Sequence, residues 1–204
     1  MYLSKVFMSW EHCRNPYQWH RALWRLFPQQ PHESRSSPLE NRQGFLFCLD
    51  KMQTGEGAVV LVQSPFQPIN AEEGVKLLTP SKLFTPQLTI DELLYFRLTA
   101  NPVKTIRDSE YPEKKKRVPL IDEQQQIEWL KRQFSSSADI LQVAITPNKP
   151  LFFQKKGGQS GKIATVTFEG VLRVVNMEQF TSIHRNGLGH AKAFGCGLLL
   201  IKRV

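Results

Sequence analysis

This sequence of 204 residues contains few cysteines, and it has no apolar run long enough to cross a bilayer. Its cysteines, Cys13, Cys48 and Cys196, form no CxxC pair, so we expect neither a disulfide framework nor a structural zinc site. They are predicted to be buried, unbridged thiols. A membrane-spanning helix needs about 18 or more apolar residues, and the segment from Met1 to Met8 is too short for a signal peptide. The sequence therefore predicts a cytoplasmic globular protein that does not contact a membrane.

Positive charge is unevenly distributed along a chain with 27 Lys and Arg residues, 18 Asp and Glu residues and a net charge of +9. In residues 1–95, nine basic residues balance nine acidic ones, whereas residues 96–204 hold eighteen basic and nine acidic residues. A single cluster of charge is usually only a solvated surface, but here basic clusters recur in several predicted loops. This pattern is typical of a surface that binds nucleic acid.

Hydrophobic periodicity predicts the same order of elements twice. In the first half the predicted elements are strand Tyr2–Met8, helix Pro16–Phe27, strands Phe45–Leu49 and Ala58–Gln63, helix Ala71–Leu77 and strand Lys82–Leu88. In the second half they are strand Leu93–Ala100, helix Asp122–Phe134, strands Ile140–Ile145 and Ile163–Val175, helix Met177–Arg185 and strand Leu198–Lys202. The order β-α-β-β-α-β is that of the ferredoxin-like motif. We therefore predict an α+β protein with two tandem ferredoxin-like (RRM-like) domains, over residues 1–90 and 91–204, and a mobile loop at Gln29–Gln43.

Two glycine-rich segments lie in the basic half. The segment 187–197 contains four glycines and Lys192, and glycine lets a phosphate approach the backbone closely. The segment 157–162 resembles a nucleotide-binding P-loop only in part, because Lys156 and Ile163 stand where that motif needs Gly and Ser or Thr. A basic hairpin that holds an RNA backbone explains the second segment better.

The first predicted helix carries a tyrosine and a histidine one turn apart. Asn15 is a favoured N-cap residue and Pro16 fits the first helical position. Tyr17 lies at the border of the polar and apolar faces, and His20 follows three residues later, so both side chains can reach one ligand. From the helix alone, packing in a core explains two such residues more often than catalysis does.

Short blocks of residues along nearly the whole chain follow the order typical of one family. They are Met1-Tyr2-Leu3-Ser4-Lys5-Val6, Pro16-Tyr17 with His20, Leu23-Trp24, Leu26-Phe27-Pro28, Tyr95-Phe96-Arg97-Leu98, Ala100-Asn101-Pro102, Lys104-Thr105-Ile106, Arg117-Val118-Pro119-Leu120, Ser160-Gly161-Lys162-Ile163, Phe168-Glu169-Gly170 and Gly195-Cys196-Gly197-Leu198-Leu199. On these blocks the sequence resembles the repeat-processing endoribonucleases of type I-E CRISPR systems, the CasE or Cse3 family.

The resemblance implies a duplicated ferredoxin-like fold and cleavage of CRISPR precursor RNA at the 3′ base of each repeat hairpin, without metal or cofactor. It also implies that the protein stays bound to the mature guide RNA (crRNA), together with the other protein subunits of the Cascade complex. Charged and glycine residues are the predicted RNA contacts. They are Lys104, Lys114, Lys115, Lys116, Arg117, Lys155, Lys156, Lys162, Gly187, Gly189 and Lys192.

The same resemblance assigns the catalytic histidine to His20 and the assisting tyrosine to Tyr17. It transfers no catalytic role to His190, because family members have a proline there. The sequence leaves open whether His20 acts as an acid or as a base. It also leaves open an alternative function, a subunit that binds structured RNA and cuts nothing.

Overall fold

A computed structural model describes residues 1–29, 44–70, 74–107, 111, 113 and 115–204. The chain divides into two compact units. The first comprises Met1–Gln87, Phe152–Lys162 and Lys192–Leu198, and the second comprises Leu88–Leu151, Ile163–Ala191 and Leu199–Val204. Thus the main division lies close to the predicted boundary at residue 90, but two later segments pack with the first unit. The domain ranges 1–90 and 91–204 themselves stay a prediction.

The fold combines antiparallel strands with short helices. In chain order, its helices and strands are β1 (Tyr2–Ser9), α1 (Trp10–Cys13), α2 (Trp19–Leu23), β2 (Leu46–Gln53), β3 (Gly57–Ser64), β4 (Val75–Leu77), β5 (Lys82–Leu83), β6 (Leu93–Ala100), β7 (Val103–Arg107), β8 (Lys115–Pro119), α3 (Glu123–Phe134), β9 (Ala138–Pro147), β10 (Leu151–Gln154), β11 (Ser160–Ile163), β12 (Val166–Val174), α4 (Met177–Asn186) and β13 (Leu199–Arg203). Short 3₁₀ turns lie at Pro16–Gln18, Trp24–Leu26 and Lys192–Phe194.

The first unit contains an antiparallel sheet in the order β2-β3-β1-β4, and β5 also pairs with the start of β1. Apolar side chains alternate along β1, so that Val6 and Met8 are fully buried. They share the interior of this unit with Trp19 and Leu23 of α2 and with Phe47 of β2. The indole N–H of Trp19 is satisfied there, since it donates to the Cys13 carbonyl at 2.6 Å.

The second unit repeats this arrangement, with an antiparallel sheet in the order β13-β6-β12-β9. Its core includes Leu130 and Phe134 of α3, Phe180 of α4 and Phe168 of β12, all fully buried. A separate antiparallel ribbon, β7–β8, lies between β6 and α3 in the chain. Both units follow the strand order of a ferredoxin-like domain, so the predicted α+β fold class is confirmed.

One predicted helix is wrong. Within the predicted helix Ala71–Leu77, residues 75–77 form strand β4, and residues 71–73 lie outside the described part of the chain. The segment pairs with β1 through Met8↔Val75 and Val6↔Leu77, and Val75 is fully buried. Pairing with β1 determines the conformation of residues 75–77, because burial against a sheet contributes more than local helix propensity does.

Other predicted elements differ mainly in extent. The predicted helix Pro16–Phe27 is α2 with a 3₁₀ turn at each end, and the predicted strand Lys82–Leu88 is reduced to β5. The predicted strand Ile163–Val175 starts in β11 and resumes as β12. The predicted loop Gln29–Gln43 lies outside the described residues except for Gln29.

The cysteines agree with the sequence prediction. Cys13, Cys48 and Cys196 are all buried, and none of them forms a disulfide. Burial raises the pKa of the Cys196 thiol to about 12, so this thiol stays protonated at neutral pH. Among the described helices, none is both long enough and apolar enough to cross a membrane.

Candidate active site

The candidate site is built on the helical segment that begins at Pro16. Asn15 precedes this segment in an extended conformation, and its side-chain oxygen accepts a hydrogen bond from the Tyr17 N–H at 3.1 Å. Pro16 occupies the first helical position, where the missing N–H removes no hydrogen bond. Asn15 therefore caps the segment as predicted, and Tyr17 and His20 follow one helical turn apart.

His20 is half-buried among aromatic rings. Its ring stacks on Phe45, with 4.9 Å between centroids and 29° between planes, and it meets the edge of Trp24 at 5.9 Å. Burial lowers the pKa of His20 below its usual value of 6.5, so the neutral imidazole dominates at neutral pH. A neutral imidazole has one nitrogen that can accept a proton. The two aromatic contacts hold this ring in a defined orientation.

Tyr17 is more exposed than His20, with 39% of its surface accessible. Its ring stacks on Phe153 of β10, with 6.0 Å between centroids and only 14° between planes. One face of the phenol is thus covered while the side chain remains open to solvent. A phenolic hydroxyl in this setting can donate a hydrogen bond to an anionic ligand.

The 3₁₀ turn Lys192–Phe194 packs against α2, against the turn Pro16–Gln18 and against β2. Phe194 contacts the Phe153 ring at 4.9 Å between centroids. Partial burial lowers the pKa of Lys192 below its usual value of 10.5. A segment distant in sequence therefore lies against the helix that carries Tyr17 and His20, and it brings a shielded lysine to that unit.

Most of the hairpin β10–β11, Phe152–Lys162, belongs to the same unit and carries three predicted RNA contacts. Lys155 and Lys156 are exposed at its turn, where Gly157 and Gly158 both have positive φ. The ammonium of Lys162 lies 5.6 Å from the centre of the exposed Phe152 ring. Exposed lysines on a narrow two-stranded ribbon can reach the backbone of an RNA stem.

The remaining predicted contacts lie in the second unit. Lys104, on β7, and Lys115, Lys116 and Arg117, on β8, are exposed, and Lys114 lies outside the described residues. Gly187 ends helix α4 with φ 71°. Gly189 also has positive φ, and a Cβ there would come 2.9 Å from the Trp129 ring. These two glycines thus have local structural roles. Their contact with RNA stays a prediction.

His184 lies in helix α4 of the second unit. His184 is buried, and burial together with the charge of Arg185 lowers its pKa to about 4. In the described ranges of the chain, no three His, Cys, Asp or Glu residues are grouped so that they could hold a metal ion.

Two residues of the site were not identified from the sequence as functional candidates. Phe153 covers one face of Tyr17, and Phe45 covers one face of His20. Phe153 lies in strand β10 and Phe45 lies just before strand β2. An ordinary apolar residue at either position carries no sequence signal of a contact with the helix. Asn15 was identified as a helix cap, but its second contact, with strand β10, was not expected.

The chain is thus a duplicated ferredoxin-like protein, and its candidate site, Tyr17 and His20, lies in the same unit as a basic hairpin. A family model described as CRISPR associated protein matches residues 1–203. The chain belongs to this CRISPR-associated family.

Two relatives match over nearly the full length. The chain is 40% identical to the CRISPR system Cascade subunit CasE of Escherichia coli K12, in an alignment that covers 98% of each chain. It is 33% identical to the CRISPR-associated endoribonuclease Cse3 of Thermus thermophilus, over 92% of this chain and 90% of the relative.

Solved structures agree with both units of the fold. The crystal structure of Cas6e from Escherichia coli K-12 matches with a TM-score of 0.84 and 38% identity, and the match covers all of both chains. Thermus thermophilus Cse3 bound to an RNA that represents a pre-cleavage complex matches with a TM-score of 0.76 and 28% identity, over 98% of each chain. These matches support the duplicated ferredoxin-like fold.

Proposed function

We propose that this protein is the endoribonuclease that processes CRISPR precursor RNA in a type I-E system. The observation that carries the proposal is a capped helix with Tyr17 and His20, in a chain 33% identical to an endoribonuclease and 40% identical to a Cascade subunit. The protein cuts at the 3′ base of the repeat hairpin. It then stays bound to the mature guide RNA with the other Cascade subunits, and it acts in the cytoplasm.

The reaction uses a nucleophile that RNA itself supplies. The 2′-oxygen attacks the adjacent phosphorus and the bond from phosphorus to the 5′-oxygen breaks. The products are a 2′,3′-cyclic phosphate, or a 3′-phosphate after it opens, and a 5′-hydroxyl. One proton must leave the 2′-hydroxyl and one must reach the departing 5′-oxygen. A histidine can perform such a transfer near neutral pH, and a correctly placed one accelerates a reaction by about 10²–10⁴-fold. No metal is needed to generate this nucleophile.

The surroundings of the two residues suggest their roles. Burial lowers the pKa of His20, which favours the neutral form that accepts the 2′-hydroxyl proton. The departing 5′-oxygen takes its proton from a solvent water. Tyr17 donates a hydrogen bond to the scissile phosphate from its exposed hydroxyl, and the half-buried Lys192 adds positive charge to the same unit. Positive charge and donors aimed at a phosphate stabilise the charge that develops in the transition state.

Cleavage of a repeat hairpin by the purified protein in excess EDTA tests the mechanism. Wild-type protein should cut the all-RNA hairpin, and it should leave intact a hairpin with 2′-deoxyribose before the scissile phosphate. His20→Ala should lower the cleavage rate by at least about 100-fold while the hairpin is still bound. His190→Ala is the matched control, since it removes a histidine outside the proposed site.

Four results would contradict parts of this proposal. Loss of wild-type cleavage in EDTA, or cleavage of the deoxy substrate, would exclude the mechanism. Normal cleavage by His20→Ala would exclude His20 as the catalytic residue. If wild-type protein binds the hairpin but never cuts it, the protein has the alternative function of an RNA-binding subunit, in which the stack of His20 on Phe45 is core packing.

A further inference from the structure

Strand β10 is attached to the start of the candidate catalytic helix by one side chain. The Asn15 amide nitrogen donates to the Gln154 carbonyl at 2.9 Å, and the Asn15 oxygen accepts from the Gln154 N–H at 3.4 Å. The same oxygen accepts from the Tyr17 N–H. The Asn15 side chain therefore pairs with the backbone of β10, as a neighbouring strand would, and it also caps the turn that carries Tyr17. Two of these hydrogen bonds join Asn15 to the hairpin, and the third joins Asn15 to the start of the helical segment.

The neighbouring residue on β10, Phe153, provides the contact with the Tyr17 side chain. Its ring stacks nearly parallel on Tyr17 and also contacts Phe194. Gly161 of β11 leaves space for this ring, because a Cβ at that position would overlap the ring atoms of Phe153. The ring thus lies across the hairpin in the place that a side chain at 161 would otherwise fill. The hairpin therefore restricts the orientation of the Phe153 ring that stacks on Tyr17.

We propose that Phe153 is a positioning residue for Tyr17. It restricts the rotation of the phenol, so that the hydroxyl faces the phosphate when RNA is bound. The inference rests on the proposed function, because it needs Tyr17 to act in cleavage. Lys155, Lys156 and Lys162 lie on the same hairpin, so an RNA stem seated on these lysines is placed relative to Tyr17 through Phe153 and Asn15.

The test is single-turnover cleavage of the repeat hairpin at saturating protein, with the dissociation constant measured separately. Because an aromatic pair contributes about 0.5–1.5 kcal/mol, Phe153→Leu should lower the cleavage rate constant by about 2- to 12-fold and leave the dissociation constant unchanged. Phe153→Tyr keeps the stack and should restore the wild-type rate. Gly161→Ala displaces the ring without removing it and should slow cleavage as Phe153→Leu does.

A double-mutant cycle separates positioning from a general effect on folding. Tyr17→Leu should slow cleavage, and Tyr17→Leu with Phe153→Leu should be no slower than Tyr17→Leu alone. Phe84→Leu is the matched control, since Phe84 is a half-buried residue of the same unit whose N–H binds the Met1 carbonyl. It should cleave at the wild-type rate. Thermal melting of each variant shows that the folded protein is being compared.

The outcomes distinguish this inference from the proposed function. A wild-type rate for Phe153→Leu, or additive effects in the double variant, overturns the inference while the function stands. A wild-type rate for Tyr17→Leu removes Tyr17 from the reaction and overturns the inference with it. If Phe153→Leu does not fold, an unchanged rate in Gly161→Ala overturns the positioning role.

Discussion

His184 is a residue whose burial has a measurable consequence for stability. It is 3% exposed in the second unit, and burial with the charge of Arg185 lowers its pKa to about 4. In the unfolded chain its pKa returns to about 6.5, so only the unfolded state binds a proton between these values. The contribution of His184 to the free energy of unfolding should therefore be fully present above pH 6.5. It should be lost as the pH decreases towards 4, which lowers the free energy of unfolding by up to about 3 kcal/mol.

This pH dependence can be measured from urea unfolding midpoints at several pH values between 7.5 and 4.5. His184→Gln, which keeps a polar side chain but does not titrate, should lose less stability over this range than wild-type protein. The difference between the two curves isolates the single group, since other titrating residues are common to both. Parallel curves would mean that His184 is protonated in the folded protein as easily as in the unfolded one.

Some residues of the site could be predicted from local sequence and others could not. The Asn15 cap, Pro16 and the spacing of Tyr17 and His20 are local features, and the structure has the predicted cap with a 3.1 Å hydrogen bond. Phe153 is far from Tyr17 in the chain, and its contact depends on how strand β10 returns to the helix. The sequence Phe152-Phe153 before a glycine turn does not show that strand β10 will contact the helix.

At the scale of elements, Gly170 shows how closely strands β12 and β9 approach each other. It lies opposite Val143 in the ladder, and a Cβ at this position would overlap the Gln142 carbonyl oxygen. Gly170→Ala must therefore displace one of the two strands. Overpacking of this kind costs about 1–3 kcal/mol, so we expect a lower free energy of unfolding by that amount.

Chemical unfolding of the variant checks this expectation. Gln142→Ala is the matched control, because it truncates the exposed side chain of the neighbouring residue and leaves its backbone in place. A surface substitution of this kind should change stability by no more than about 0.5 kcal/mol. If Gly170→Ala were as stable as this control, the ladder would have space that the structure does not show.

Strands β7 and β8 were missed for one physical reason. Each has exposed residues on both of its faces. Periodicity indicates a strand only when one face is buried, because burial is what selects apolar residues at alternate positions. Strand β6, with a buried residue at every second position, was predicted with its observed bounds, Leu93–Ala100. A ribbon that stands in solvent lacks this signal.

At the scale of the whole molecule, the charge of each half of the sequence differs from the charge of each unit. The second half of the sequence carries the excess of basic residues. Four of them nevertheless belong to the first unit, which also contains His20: Lys155, Lys156, Lys162 and Lys192. The sequence could predict that a polyanion binds this protein. It could not assign the basic residues to a unit, because the chain returns twice to the first unit after entering the second.

The dependence of RNA binding on salt tests which of these charges contact phosphate. Each lysine that contacts a phosphate releases counterions on binding, so its loss should weaken binding and reduce the slope of log Kd against log salt by about one unit. Lys155→Ala with Lys156→Ala should therefore reduce the slope by about two units. Lys131→Ala removes one charge of the same type from the last turn of α3, where no RNA contact is predicted, and it should leave the slope unchanged. The measurement uses the hairpin with 2′-deoxyribose before the scissile phosphate, so that binding is not followed by cleavage. Equal slopes for the hairpin variant and the control would mean that these two lysines do not neutralise phosphates of the stem.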